Sequence, residues 1–236
     1  ITVQMLGRDM NRLYGYRQEM NTTAAGENLT ILPEDRALTV DITGGGVTGI
    51  SYEVRSMDRA RLVERTEVSD WQQTQQGIAA TLPIQNLLTK EREYQLIIQL
   101  DTENYGSVYY YTRILWTDSA QHARDMVDLA ADFSIKTFDY EQAKSLTTYL
   151  ETSPSEDNST FGHTSIHSSF SQLTWGGLKM ELVGEMETTL QELDGIMGQI
   201  KVSYQVSRTA EQGNTESYEV TDYYTVKWTE KRIYLM

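Results

Sequence analysis

Apolar and polar positions alternate with a period of two along most of residues 29–116. Tyr94, Leu96, Ile98 and Leu100 interleave with Glu93, Gln95, Ile97 and Gln99, a spacing that turns one apolar face of a strand toward a core. Residues 39–42, 50–55, 61–64, 78–82 and 108–115 read as further strands. Gly44-Gly45-Gly46 and Asn104-Tyr105-Gly106 mark hairpins between them, because glycine accepts the positive φ of a tight turn. Short strands at this spacing predict an antiparallel sandwich.

The period changes at Thr117-Asp118-Ser119. Asp118 or Ser119 is placed to cap a helix in which Ala123, Met126, Val127, Ala130 and Phe133 recur at three- and four-residue intervals. Asp139 caps a second helical run over 140–150, ended before Pro154. After a polar loop at 152–160, strands are expected at 168–173, 178–183, 187–190, 200–206, 218–228 and 233–236. Val202, Tyr204 and Val206 alternate with Lys201, Ser203 and Gln205. Val220, Tyr224, Val226 and Trp228 do the same against Tyr223, Thr225 and Lys227. The expected architecture is two domains. An all-β antiparallel sandwich over residues 1–117 is followed, over 118–236, by an α+β domain with helices packed on a curved antiparallel sheet.

The first half, with Tyr52-x-Val54-Arg55 and Tyr94-x-Leu96-x-Ile98-x-Leu100, resembles immunoglobulin-like and fibronectin type III sandwiches, without the cysteine pair of true immunoglobulin domains. The second half resembles the cone-shaped nuclear-transport-factor-like fold and, less closely, cystatin. That likeness rests on the helix at 120–138, Phe138-Asp139-Tyr140-Glu141-Gln142-Ala143, and the closing runs at 223–228 and 232–235. The whole chain resembles uncharacterised extracytoplasmic proteins of Gram-positive anaerobes. Folds of the second kind serve as enzymes, ligand carriers and assembly modules, so the resemblance fixes no activity.

Charge narrows the partners. Among 236 residues, 34 acidic side chains against 20 basic ones give a net charge of −14, which repels a phosphate backbone and argues against nucleic acid. Residues 1–117 hold 11 basic and 15 acidic groups (net −4), and residues 118–236 hold 9 and 19 (net −10). The absence of cysteine excludes disulfides, a thiol nucleophile, iron–sulfur clusters and sulfur-ligated zinc. It suits an exported protein, extracellular or on the cell surface. No apolar run reaches the roughly 20 residues of a membrane span. Because the sequence opens on Ile1, a wall or membrane anchor upstream is expected. The Asn-x-Ser/Thr triplets at Asn21, Asn28 and Asn158 would be glycosylated only in a eukaryotic secretory protein.

Candidate chemistry is sparse. His163 and His167 lie four apart; on a strand that is roughly 13 Å, too far for two ligands of one ion, and Ser, Thr, Ile and Phe around them favour extended structure. His122 reads as a solvated helix residue. Ser165, Ser168 and Ser169 lack a nucleophile elbow, and Gly44-Gly45-Gly46 lacks the Lys-Ser/Thr of a phosphate loop. Glu181, Glu185 and Glu187, and the oxygen-rich run Ser155-Glu156-Asp157-Asn158, have no defining acid/base or calcium spacing. No catalytic residue, metal ligand or cofactor is therefore assigned. Tyr109-Tyr110-Tyr111 and Tyr223-Tyr224 must place rings on both faces of their strands.

Two functions follow from these expectations: a noncatalytic cell-envelope module binding protein or glycan, or a small-molecule or enzymatic pocket between helices and sheet. The pocket would be lined by Phe133, Tyr140, Trp175, Tyr204, Tyr224 and Trp228.

Overall fold

Residues 1–20, 26–87, 89–150, 162, 164–210 and 213–236 are described by a computed structural model. The protein is mostly β, 50% strand and 14% helix, in three sheets. It forms two compact units, one of Ile1–Arg124 with Thr189–Glu192, the other of Asp125–Thr188 with Leu193–Met236.

The first unit holds β1 (Thr2–Met5), β2 (Arg8–Met10), β3 (Leu29–Ile31), β4 (Ala37–Thr43), β5 (Val47–Arg55), β6 (Leu62–Val68), β7 (Trp71–Gln73), β8 (Gly77–Pro83), β9 (Glu93–Thr102) and β10 (Gly106–Leu115). They form two sheets, ordered β2-β1-β4-β8-β7 and β3-β10-β9-β5-β6. β3 runs parallel to its neighbour, β10. Leu38, Val40, Ile78, Ala80 and Leu82 of the first sheet are buried, as are Ile50, Tyr52, Val54, Leu96, Ile98 and Leu100 of the second. These are the alternate positions, so the period of two builds the core. The Tyr52 hydroxyl lies 2.8 Å from both Glu64 Oε1 on β6 and the Pro83 carbonyl on β8, linking the two sheets.

Gln95 and Ile97 on the opposite face of β9 are buried as well, against the expected alternation. An N-terminal strap that strand periodicity does not reveal crosses part of this face. Tyr16 and Tyr109 exchange backbone hydrogen bonds of 2.9 and 2.8 Å at the edge of β10. The Met20 amide donates to the Tyr111 hydroxyl at 2.7 Å, and Arg59, in the turn after β5, binds the Met20 carbonyl and Glu19. Residues 16–20 thus pass from the β10 edge toward the β5–β6 hairpin, over the face where Tyr111, Ile97 and Glu53 stand in register. Gly15 permits the approach: a Cβ there would sit 2.6 Å from Val108 Cγ1 and 2.8 Å from the Tyr110 ring.

In the second half of the chain, α1 (Ala120–Lys136) buries Ala123, Met126, Val127, Ala130 and Phe133, the predicted stripe. Asp118 does not cap it; its carboxylate pairs with Lys90 at 2.5 Å, and the Ser119 carbonyl accepts the Ala123 N–H. Asp139 does cap α2 (Tyr140–Ala143), accepting from the amides of Glu141 and Gln142. The chain then tightens into a 3-10 turn, Lys144–Tyr149.

The strand expected at 168–173 is a correction, since Phe170–Leu173 is a helical turn, α3. Ser169 and Gln172 form a reciprocal capping box that satisfies the orphan amides locally. The two strands expected at 178–183 and 187–190 are one, β11 (Glu181–Asp194), which runs through Gly184 at φ 75°. With β12 (Met197–Thr209), β13 (Thr215–Trp228) and β14 (Ile233–Leu235) it forms the third sheet, in sequence order. Ile200, Val202, Tyr204 and Val206 of β12 and Tyr224 and Val226 of β13 are buried on one face.

Candidate functional site

On β13 the period of two places Asp222 beside Tyr224, on the buried face. The antiparallel register sets Asp222 opposite Val202 and Tyr224 opposite Ile200 on β12, with Tyr204 one pair further along that face. From α1, Ser134, which is fully buried, reaches the same point. Three hydroxyls converge on one carboxylate oxygen. Asp222 Oδ2 accepts from Ser134 Oγ at 2.8 Å, from the Tyr204 hydroxyl at 3.0 Å and from the Tyr224 hydroxyl at 3.0 Å. Ser134 Oγ and the Tyr224 hydroxyl are also 2.7 Å apart.

Burial raises the Asp222 carboxyl above its ordinary value, while the three hydroxyl bonds pull it the other way. Both phenols are pushed up, first by burial and then by the Asp222 charge, so they remain protonated and act as donors. The cluster can therefore hold a carboxylate, or retain one extra proton, inside an apolar layer.

Aromatic rings close around it. Phe133 meets Tyr224 edge-on at 5.6 Å, Phe138 lies 5.5 Å from Trp175 and 5.8 Å from Tyr204, and Trp175 is 6.5 Å from Tyr204. The Trp175 indole donates to Thr137 Oγ1 at 3.2 Å, and that hydroxyl donates to the Ser134 carbonyl at 2.7 Å. Trp175 holds this position with a left-handed backbone, φ 63°, just before Gly176.

Of the six residues expected to line a pocket, Phe133, Trp175, Tyr204 and Tyr224 come together. Tyr140 does not; its ring is 54% exposed and packs on Phe170 at 4.9 Å, under Lys144. Trp228 is also apart, its indole donating to Asp125 Oδ2 at 3.3 Å. Between Phe133, Thr137, Leu146, Phe170 and Leu173 there is a cleft with room for about one water molecule.

No family model matches the chain, and neither does any curated protein.

Other candidate positions fall elsewhere. His163, Asn21, Asn158 and the run 155–158 lie outside the described residues. The His167 amide donates to Ser165 Oγ in the turn before α3, so the extended conformation expected there is replaced by a bend. Among the described residues no group of three His, Cys, Asp or Glu side chains is placed to hold a metal ion. Among the described residues no helix is long and apolar enough to cross a membrane. Glu181 and Glu185 are exposed on β11, and Glu187 is half-buried. Gly44 and Gly46 take φ 108° and 78° in the β4–β5 turn.

Ser134, Phe138 and Asp222 were not expected at the site. Asp222 did leave a trace, standing at the position that interrupts the apolar series Val220, Tyr224, Val226. A charge at such a position either faces a core or breaks the strand. Ser134 had no comparable signal, because small hydroxyls are common in helices.

Proposed function

We propose that the chain is a noncatalytic, extracytoplasmic module of the cell envelope that binds protein or glycan through its surface. On this reading an immunoglobulin-like sandwich, residues 1–117, is joined to a helix-on-sheet α+β domain, residues 118–236. One observation carries it: the hollow beneath α1, where a small-molecule site would form, is occupied by the protein's own rings. Phe133 contacts Tyr224, and Phe138, Trp175 and Tyr204 contact one another. The order β1-β4-β8-β7 against β10-β9-β5 supports the sandwich, since it matches the A-B-E-D and G-F-C sheets of immunoglobulin domains. The lack of cysteine supports a site of action where disulfides are dispensable. The intact chain, tested against panels of glycosides, esters and peptides, is expected to turn none over, and to be retained by an immobilised glycan or protein. Turnover abolished by Asp222→Asn overturns the proposal.

A second reading, an enzymatic or ligand site in the α+β part, is favoured by Asp222 alone. A carboxyl raised by burial and oriented by three hydroxyls has the makings of a general acid. The same variant separates the two, because a noncatalytic module keeps its partner affinity when Asp222 becomes neutral.

A further inference from the structure

The Asp222 cluster has more short oxygen contacts than hydroxyl hydrogens to fill them. Asp222 Oδ2 lies 2.8 Å from Ser134 Oγ and 3.0 Å from each of the Tyr204 and Tyr224 hydroxyls, and Ser134 Oγ lies 2.7 Å from the Tyr224 hydroxyl. A hydroxyl carries one hydrogen and an ionised carboxyl carries none, so three hydrogens serve four contacts. If all three point at Oδ2, Ser134 and Tyr224 face each other at 2.7 Å through bare lone pairs. If either of those two turns to the other, its own contact with Oδ2 is left bare instead. Every arrangement is short of one hydrogen. Water cannot supply it, because oxygens this close leave no room between them.

We infer that Asp222 keeps its carboxyl proton in the folded protein, and that this proton closes a ring of three hydrogen bonds that latches α1 onto the third sheet. Oδ2–H donates to the Tyr224 oxygen, the Tyr224 hydroxyl to Ser134 Oγ, and the Ser134 hydroxyl back to Oδ2. All three bonds run in one sense, so each polarises the next. Tyr204 donates to Oδ2 from outside the ring. Ionisation sends the proton to water, leaves its electron pair on the carboxylate and opens the ring at one contact, while a charge arises in an apolar layer. The groups facing Asp222 are Ser134 of α1, Tyr204 of β12 and Tyr224 of β13, and burial together with these three hydroxyls sets its ionisation. The latch therefore loosens as pH rises. Its release reaches further along the chain, since Thr137 Oγ1 donates to the Ser134 carbonyl at 2.7 Å and accepts the Trp175 indole at 3.2 Å. The inference rests on neither functional reading above.

The test is a pH titration of the intact chain, read at the Asp222 carboxyl carbon by NMR and by infrared difference spectra between the parent and Asp222→Asn. At pH 6 ordinary aspartate and glutamate carboxyls, near about 3.9 and 4.3, have ionised, and Asp222 is expected to show the carbon shift and carbonyl stretch of a neutral acid. Two variants tell the ring from simple burial. Tyr204→Phe removes a donor to the anion and leaves the ring with its shortfall, so it should raise the proton affinity of Asp222 about tenfold. Tyr224→Phe removes a ring oxygen, leaving two contacts for two hydroxyl hydrogens, and should lower that affinity about tenfold. Hydrogen exchange in the last turn of α1, through Thr137, should accelerate above the Asp222 midpoint by more than intrinsic base catalysis gives, and the excess should vanish in Asp222→Asn. An ionised Asp222 at pH 6, both phenylalanine variants shifting the midpoint the same way, or exchange without that excess overturns the inference. The carbon titration reads the parent chain, so it decides even where a variant fails to fold.

Discussion

Ser134 and Asp222 are 88 residues apart in sequence and meet at 2.8 Å, the Ser134 hydroxyl donating to Asp222 Oδ2. The contact exists because a helix with a three- to four-residue repeat is laid on a strand with a two-residue repeat, so each presents one polar residue in an otherwise apolar stripe. Within β13 Asp222 is met by Tyr224, and Tyr204 and Ser134 complete the set from β12 and α1. Each is buried at the cost of desolvation, and the contact offsets that cost.

Asp222 makes stability depend on pH in a definite direction. Burial raises its carboxyl, so the folded chain binds this proton more tightly than the unfolded chain does. The groups that face it are Ser134 from α1 and the phenols of Tyr204 and Tyr224, which stay neutral. Its contribution to stability is thus fully present below the ordinary value of 3.8 and is lost as pH rises through the folded-state value. Asp222→Asn removes the titration, so the melting temperature of the variant relative to the parent should be higher at pH 7 than at pH 3. A constant offset between the two pH values would contradict the assignment.

The hydroxyls should act as a set. Ser134→Ala removes a donor to Asp222 and a partner of Tyr224, and Tyr224→Phe does the reverse; each is expected to cost about 1–2 kcal/mol in urea unfolding. Because the two share the carboxylate and each other, the double variant should fall short of the sum by about 0.5 kcal/mol or more. Strict additivity would mean that the 2.7 Å contact between them contributes nothing.

Much of the strand pattern was legible because the period of two is imposed by the core itself; Leu96, Ile98 and Leu100 are buried as their spacing required. Gln95 and Ile97 were not legible. They lie on a face part of which is crossed by a strap held by contacts such as Met20 to Tyr111, 91 residues apart, which no local pattern encodes. The helical turn at Phe170 was misread as strand for a different reason. Its side chains are β-like, and the deciding feature is the pair Ser169 and Gln172, a capping box that outweighs the propensity of one short turn. At the site, the aromatic members were visible as large residues on alternate positions. Asp222 showed only as a missing beat in an apolar series, and Ser134 gained its meaning solely from what the sheet placed opposite it.

The capping box itself is testable. Ser169→Ala removes the acceptor for the Gln172 amide and is expected to cost about 1 kcal/mol, confined to this turn. Hydrogen exchange should accelerate at residues 172–176 while the amides of β12 and β13 are unchanged. Uniform acceleration would show that the turn is not a separate local element.

Gly15 should be irreplaceable by alanine. A methyl group there meets Val108 Cγ1 at 2.6 Å and the Tyr110 ring at 2.8 Å, closer than carbon atoms tolerate, so the strap must lift. Overpacking of this kind typically costs about 1–3 kcal/mol. Limited proteolysis of Gly15→Ala should cut within residues 12–20 before the strands β4–β10, and a variant as resistant as the parent would refute the close approach.

Asn11 offers the sharpest separation of backbone conformation from hydrogen bonding. It is fully buried, at φ 52°, in the left-handed region that asparagine tolerates better than most residues. Its Nδ2 donates to the Leu29 carbonyl at 2.8 Å, and its Oδ1 accepts the Leu190 amide at 2.9 Å. Leu190 belongs to Thr189–Glu192, the four residues of β11 that group with the first unit. Asn11→Gly keeps the backbone free and deletes both bonds; Asn11→Asp keeps the acceptor for Leu190 and deletes the donor to Leu29. If the bonds dominate, glycine should cost about 2–4 kcal/mol, because a buried amide and a buried carbonyl are both left without a partner. Exchange of the Leu190 amide should then be fast in Asn11→Gly and slow in Asn11→Asp. If instead the left-handed backbone dominates, glycine should be nearly silent and Asn11→Ala alone should destabilise, by about 1–2 kcal/mol from backbone strain.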